Sequence, residues 1–147
     1  MTSGMAHCSF CSIIARSSPA EIVYEDEHTL AFMDALPMTA GHTLVIPKRH
    51  VQDLFELPDE VAGHLLRSAR TVGQFITKGM GAAGLNLLNN NGVAADQSQF
   101  HLHFHLIPRY GRDRLLHPYE RMFGDWSEIR EHARIIRSAN EEGELLS

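Results

Sequence analysis

One stretch constrains the fold more than any other. Phe100, Leu102, Phe104 and Leu106 alternate with His101, His103 and His105. A period of two predicts a β-strand within 99–110, with one apolar face on a core and three imidazoles in a row on the other. Alternate Cα atoms of a strand are roughly 6.6 Å apart, so His101 and His105 start roughly 13 Å apart. That span is too long for three relaxed ligands of one metal ion. The three histidines are therefore expected to do different work. Neutral imidazoles offer little packing advantage and would repel if charged, which speaks against a purely structural row.

The remaining segments supply partners for that strand. Glu21–Glu25 and His28–Met33 read as two strands of a hairpin turned at Asp26-Glu27, and His42–Pro47 reads as a third, nearly all apolar and so central. Leu57-Pro58-Asp59-Glu60 is a helix start, because proline fits the first turn and acids complement the orphan amides there. Val61, Leu65, Ala69, Val72 and Ile76 recur at helical spacing until Gly79 and Gly81. Gly84–Asn90 reads as a fourth strand, 91–99 as a loop, and Trp126–Asn140 as a last helix with Ile129, Ala133 and Ile136 on one side. A short helix is expected through Ile13 and Ile14, ended by Ser17-Ser18-Pro19. An antiparallel meander with one long helix predicts an α+β fold, and 147 residues suit a single domain over 1–147.

Composition bounds the function. A formal net charge of −5 implies no general affinity for nucleic acid. The chain holds no run of about 18 apolar residues, so no membrane span is expected. Residues 1–18 hold no apolar stretch of signal-peptide length, and a cytoplasmic location is expected.

Three groups carry chemistry. Cys8 and Cys11 have the spacing of zinc ligands, and two thiolates need two further donors for a tetrahedral site. His50 and His101 are the candidates. A redox pair or two ordinary thiols are the other readings, but a hairpin follows here where a redox motif expects βαβ. The second group is nucleophilic. A neutral imidazole, with a pKa of roughly 6.5, brings no negative charge to a phosphate and can split a displacement into two steps. His103 is best placed, having a histidine on each side. The third is Asn89-Asn90-Asn91-Gly92-Val93-Ala94-Ala95-Asp96-Gln97-Ser98. Its small and polar residues suit a loop that approaches a phosphate, or an ordinary hairpin connection with an Asn-Gly turn.

At these residues a family resemblance emerges. His101-Leu-His103-Phe-His105-Leu-Ile resembles the histidine motif of the histidine triad (HIT) nucleotide hydrolases and transferases. Gly41-His-Thr-Leu-Val-Ile-Pro-Lys48 and Pro58-Asp-Glu-Val61 resemble the family's glycine-histidine strand and the start of its helix. The resemblance spans a core of about 8–110 and leaves a tail, 111–147, uncovered. It implies a homodimer in which a five-stranded antiparallel sheet, with one long helix and a C-terminal helix, continues across the two subunits. It implies attack by His103 on the α-phosphorus of an AMP-like purine nucleotide, a nucleotidyl-histidine intermediate, and hydrolysis by water. His105 would sit at the leaving group, with His42 as a further histidine near the triad. Asn90 and Ser98 match phosphate-contacting positions, with Gln97 supporting their loop. Asp34 matches the ribose carboxylate, and Phe10, Ile13, Phe32 and Leu44 match the purine pocket. Cys8, Cys11, His50 and His101 resemble the structural zinc site of bacterial members.

Asp96 departs from the pattern, standing where many relatives carry glycine. A carboxylate beside a bound phosphate is unfavourable unless it points away. The scissile bond is expected to be P–N in an adenosine phosphoramidate or P–O–P in a dinucleoside polyphosphate. Two other readings are a nucleotide sensor with incidental turnover and a zinc metalloenzyme using the histidine row as its open site. Trp126 in the tail, and the run Arg109, Arg112 and Arg114 that leads into it, are expected where a second nucleotide or the other subunit could lie.

Overall fold

The computed structural model describes residues 7–111 and 124–146, with side chains as far as residue 141. Arg112 and Arg114 lie outside the described residues. In chain order the elements are α1 (Ser9–Ile14), β1 (Ile22–Glu25), β2 (Thr29–Met33), β3 (Thr43–Pro47), α2 (Asp59–Met80), β4 (Gly84–Leu88), β5 (Phe104–Arg109) and α3 (Trp126–Leu146). The five strands form one sheet in the order β1-β2-β3-β5-β4, and every neighbouring pair is antiparallel. The expected α+β fold is present, with the apolar third strand at the centre.

Strand alternation divides the sheet into two faces. Ala31, Met33 and Val45 join Leu65, Ala69, Val72 and Ile76 of α2 and Ile129, Ala133 and Ile136 of α3 in one apolar cluster. Leu30, Phe32, Leu44 and Ile46 point the other way and join Cys8 and Phe10 of the α1 region in a second. The first face is an apolar core under two helices. The second carries the candidate site. Because α3 contributes three fully or nearly fully buried side chains to the first cluster, the C-terminal helix is part of the packed body. Truncating Ile136 to alanine there would cost about 2–5 kcal/mol.

The long helix follows its local signals. Pro58 precedes it at φ −66°, Asp59 and Glu60 occupy its first turn, and Lys78 sits in its last. Gly81 ends it at φ +65°, donating its N–H to the Thr77 carbonyl. Val61, placed at the start of the stripe, is only half-buried. Gly73 faces β4: a Cβ there would lie 2.8 Å from Cδ2 of Leu85, so a larger residue would require that side chain to shift.

The histidine strand is shorter than its alternation predicts. It pairs with β3 only at Thr43–Leu106, Leu44–His105 and Val45–Phe104. Residues 101–103 leave the ladder: the Leu102 N–H donates to the Val51 carbonyl at 2.7 Å, and His101 Nε2 lies 2.8 Å from the Pro47 carbonyl oxygen. The expected apolar face shrinks accordingly. Leu102 and Leu106 are buried, whereas Phe100 is 45% exposed. The three histidines are thus no regular row on one strand face. The fourth strand likewise ends at Leu88, short of Asn90.

Candidate functional site

Cys8 caps the N-terminus of α1, its Sγ accepting the Cys11 N–H at 3.3 Å. This turn brings both sulfurs to two imidazoles distant in sequence. His101 Nδ1 lies 3.4 Å from Cys8 Sγ and 3.6 Å from Cys11 Sγ, and His50 Nδ1 lies 3.3 Å from Cys11 Sγ. A tetrahedral zinc with ordinary bond lengths separates its sulfur and nitrogen ligands by about 3.6 Å. The four donor atoms all fall within 4.8 Å of one another, so the set fits a zinc-type ion.

Protonation agrees. A carbonyl oxygen can only accept, so His101 donates Nε2–H to Pro47 and carries its lone pair on Nδ1, toward the thiols. Burial, with His50 and His103 nearby, pushes His101 down to about 4 against the opposing pull of the Pro47 carbonyl. The ring is therefore neutral at pH 7. Burial, then the neighbouring Cys8, push the Cys11 thiol up to about 11, and a bound dication reverses that balance.

His103 has the opposite tautomer. Its Nδ1 lies 2.8 Å from the His101 carbonyl oxygen, so it donates there and the lone pair belongs to Nε2. Phe10 packs edge-on against the ring at a centroid distance of 5.2 Å, and the His103 carbonyl accepts from the Asn89 side chain at 3.0 Å.

His105 belongs to a third arrangement. The Met38 N–H donates to His42 Nδ1 at 3.0 Å, which leaves the His42 proton on Nε2. That atom lies 3.0 Å from His105 Nδ1 and 3.4 Å from Asp34 Oδ2. His42 therefore donates to His105, whose own proton sits on Nε2. Asp34, His42 and His105 also cluster closely enough to hold an ion. A backbone amide on His42 Nδ1 keeps a proton on the nitrogen that would have to ligate, so the three form a hydrogen-bond relay and not an open metal site.

A cavity of about 250 Å³ lies against these rings, lined among others by Phe10, Ile13, Phe32, Leu44, Asp34, Ser98, His103, His105 and Trp126. One end is apolar, with Phe10 and Phe32 edge-to-face at 5.3 Å. Asp34 is nearly buried, and its Oδ1 accepts the Leu36 N–H at 2.9 Å. Gln97 is not a lining residue. Its Oε1 accepts the Gly92 N–H at 2.7 Å, and its Nε2 donates to the Gln52 and Gln99 carbonyls at 2.8 and 3.0 Å, which braces the loop that carries Ser98. Asn90 is buried at the start of that loop and His42 lies behind His105; neither lines the cavity.

Asp96 is exposed and outside the lining. Its backbone sits at φ +65°, ψ +25°, a left-handed conformation that glycine adopts freely and aspartate tolerates. Two contributors were not assigned these roles from sequence. Asn89 was only one of three consecutive asparagines. Trp126 lies in the tail and yet lines the cavity with Asp34, where the Gly124 N–H, two residues before it, donates to the Ala35 carbonyl at 3.3 Å.

Comparison with known proteins agrees with this geometry. The HIT domain model matches residues 15–112. The chain is 49% identical over 106 residues to Protein hit of Bacillus subtilis, covering 72% of this chain and 73% of that one. It is 43% identical over 108 residues to adenylylsulfatase HINT3 of Arabidopsis thaliana, covering 74% of this chain and 55% of that longer protein. The crystal structure of a Zn-bound histidine triad family protein from Mycobacterium smegmatis superposes with a TM-score of 0.80 at 36% identity, covering 97% of this chain and 99% of that one. With His103 and His105 lining the cavity and His101 facing the two thiols, the chain belongs to the histidine triad (HIT) family.

Proposed function

We propose that this protein hydrolyses purine nucleoside 5′-phosphate derivatives through a nucleotidyl-histidine intermediate on His103. The observation that carries the reading is the hydrogen bond from His103 Nδ1 to the His101 carbonyl at 2.8 Å. It fixes the tautomer whose Nε2 lone pair can attack phosphorus, on a ring that lines the cavity. The purine occupies the apolar end formed by Phe10, Ile13, Phe32 and Leu44, and Asp34 takes the ribose hydroxyls. Ser98 and the loop amides near Asn90, braced by Gln97, hold the phosphate oxygens. His105 gives its Nε2 proton to the leaving group, and the proton that His42 donates to His105 Nδ1 keeps that tautomer in place. Water then attacks the phosphorus of nucleotidyl-His103 and passes a proton to His105 Nε2; the P–N bond breaks, and the nucleoside monophosphate leaves with both imidazoles restored.

The metal centre of Cys8, Cys11, His50 and His101 takes a structural zinc in this reading, which supplies charge to hold two thiolates and no step of the reaction. The whole of 1–147 acts as one HIT domain in the cytoplasm. A homodimer forms along β4. That strand is a sheet edge with Leu87 49% exposed, and beside it Ala69, Gly73 and Leu85 line a mostly apolar concavity. Sedimentation equilibrium tests this, a monomer at micromolar concentration counting against it.

The leaving group is assigned by a kinetic panel of adenosine phosphoramidate, a diadenosine polyphosphate and adenylyl sulfate, the last included because of the relative's name. Release of AMP from at least one of them with kcat/KM above about 10⁴ M⁻¹s⁻¹ supports the reading. AMP binding without turnover of any of them would leave the sensor reading in its place.

A further inference from the structure

Two covalent links join the metal group to the cavity. The first is Phe10, which lies between Cys8 and Cys11 in the single short turn of α1. Its ring packs edge-on against Phe32 at 5.3 Å and against His103 at 5.2 Å. The second is His101, which faces the thiols with its ring while its carbonyl oxygen holds the Nδ1–H of His103. One wall of the cavity and the tautomer of the ring beside it therefore depend on residues of the metal group.

The α1 turn has little to hold it otherwise. It spans six residues, has no acidic residue in its first turn, and is capped by the Cys8 sulfur itself. Isolated helices shorter than about 12 residues are marginal. On the sheet side the second apolar cluster retains it, and Arg16, just past its end, pairs with Glu25 of β1. The first cluster, under α2 and α3, contains neither cysteine, although Val51 and Leu102, next to His50 and His101 in the chain, belong to it; the body of the fold has its own core.

We propose that the Cys8, Cys11, His50 and His101 centre is a positioning element for nucleotide binding: a zinc-type ion held there raises the affinity of the cavity for a purine nucleoside monophosphate. This rests on the nucleotide reading of the cavity. Linkage requires the effect to be reciprocal, so the nucleotide must tighten metal binding by the same factor. Phe10 transmits the effect to the base, and the His101 carbonyl transmits it to His103.

The test measures binding and not turnover. Trp126 is the only tryptophan in the chain and lines the same cavity, so its fluorescence reports AMP binding. AMP affinity is measured on zinc-loaded and chelator-stripped protein, with far-UV circular dichroism monitoring the fold. Zinc affinity is measured by chelator competition with and without saturating AMP. The expected result is a folded metal-free protein that binds AMP about tenfold more weakly, and a matching tenfold gain in zinc affinity with AMP present. Replacing Phe10 by alanine in zinc-loaded protein should weaken AMP and shrink the dependence on zinc. Affinities independent of each other within about twofold would overturn the inference. So would a metal-free protein that loses its helical signal, because the centre would then be a folding staple. Failure of AMP to bind zinc-loaded protein would instead overturn the nucleotide reading, and this inference with it.

Discussion

His101 and His103 are two residues apart and have the same side chain, yet the structure makes them opposites. His101 gives Nε2–H to Pro47 and turns Nδ1 toward two sulfurs; His103 gives Nδ1–H to the His101 carbonyl and keeps the lone pair on Nε2. One ring sits among thiols beneath the surface and the other lines a cavity. The difference teaches that a backbone carbonyl decides the chemistry of each imidazole by choosing which nitrogen donates. Residue type alone leaves both options open.

The largest expected effect comes from removing one ring at a time. His103→Ala should lower kcat by at least about a thousandfold, as loss of a nucleophile does, while zinc content and melting temperature stay near those of the parent. His101→Ala should lose zinc, lower the melting temperature, and impair turnover through the misplaced His103. Metal analysis and steady-state kinetics on the pair decide between the two behaviours. If both variants kept zinc and lost activity equally, the contrast between the two rings would fail.

Asp34 sharpens the cavity side of the comparison. A hydrogen bond to a charged group is worth roughly 1.5–3 kcal/mol, so Asp34→Ala should lower kcat/KM about ten- to a hundredfold on ribonucleotide substrates. On 2′,3′-dideoxy analogues, which lack the hydroxyls, the loss should be much smaller. Equal losses on both would make Asp34 a support for His42 and not a ribose ligand.

A smaller effect is expected at Asp26, a carboxylate that serves the fold. It accepts from the His28 and Thr29 amides and the Thr29 hydroxyl, at 2.8, 2.7 and 2.9 Å, and from Tyr24 and Ser68 at 3.0 and 3.1 Å. Burial alone would raise its pKa, but these donors together hold it down at about 2. Its folded value lies below the ordinary carboxylate value of 3.8, so its contribution is complete above that pH. The contribution fades as pH falls toward 2, where the folded carboxylate also takes a proton. Asp26→Asn should flatten the acid limb of a stability-versus-pH curve and leave turnover at neutral pH within about twofold of the parent. A large loss of turnover would place Asp26 in the reaction.

Much of this was legible in the sequence because the signals are local. The apolar run of β3 and the stripe of α2 follow backbone periodicity, and the C-x-x-C spacing prescribes a turn that brings two sulfurs together. The departure of residues 101–103 from the strand was not legible. It depends on contacts with Pro47 and Val51, which no alternation encodes. The fourth metal donor was legible only as a candidate, because His101 and Cys8 are 93 residues apart. Asp96 needed a backbone angle, and Asn89 needed a partner, before either could be understood. Trp126 needed the packing of α3 to reach the cavity, and deleting the tail to probe it would strip Ile129, Ala133 and Ile136 from the core. Substituting Trp126 alone is the cleaner probe.

In the proposed reaction His103 Nε2 forms a bond to phosphorus. A single turnover with adenosine phosphoramidate carrying a labelled phosphorus, quenched in denaturing base before hydrolysis and mapped by peptide mass spectrometry, tests it directly. An adenylyl group is expected on the peptide containing His103 and absent from His103→Ala. Labelled AMP released with no protein-bound adenylate at any quench time, or a label on His105 or His101 instead, would contradict it.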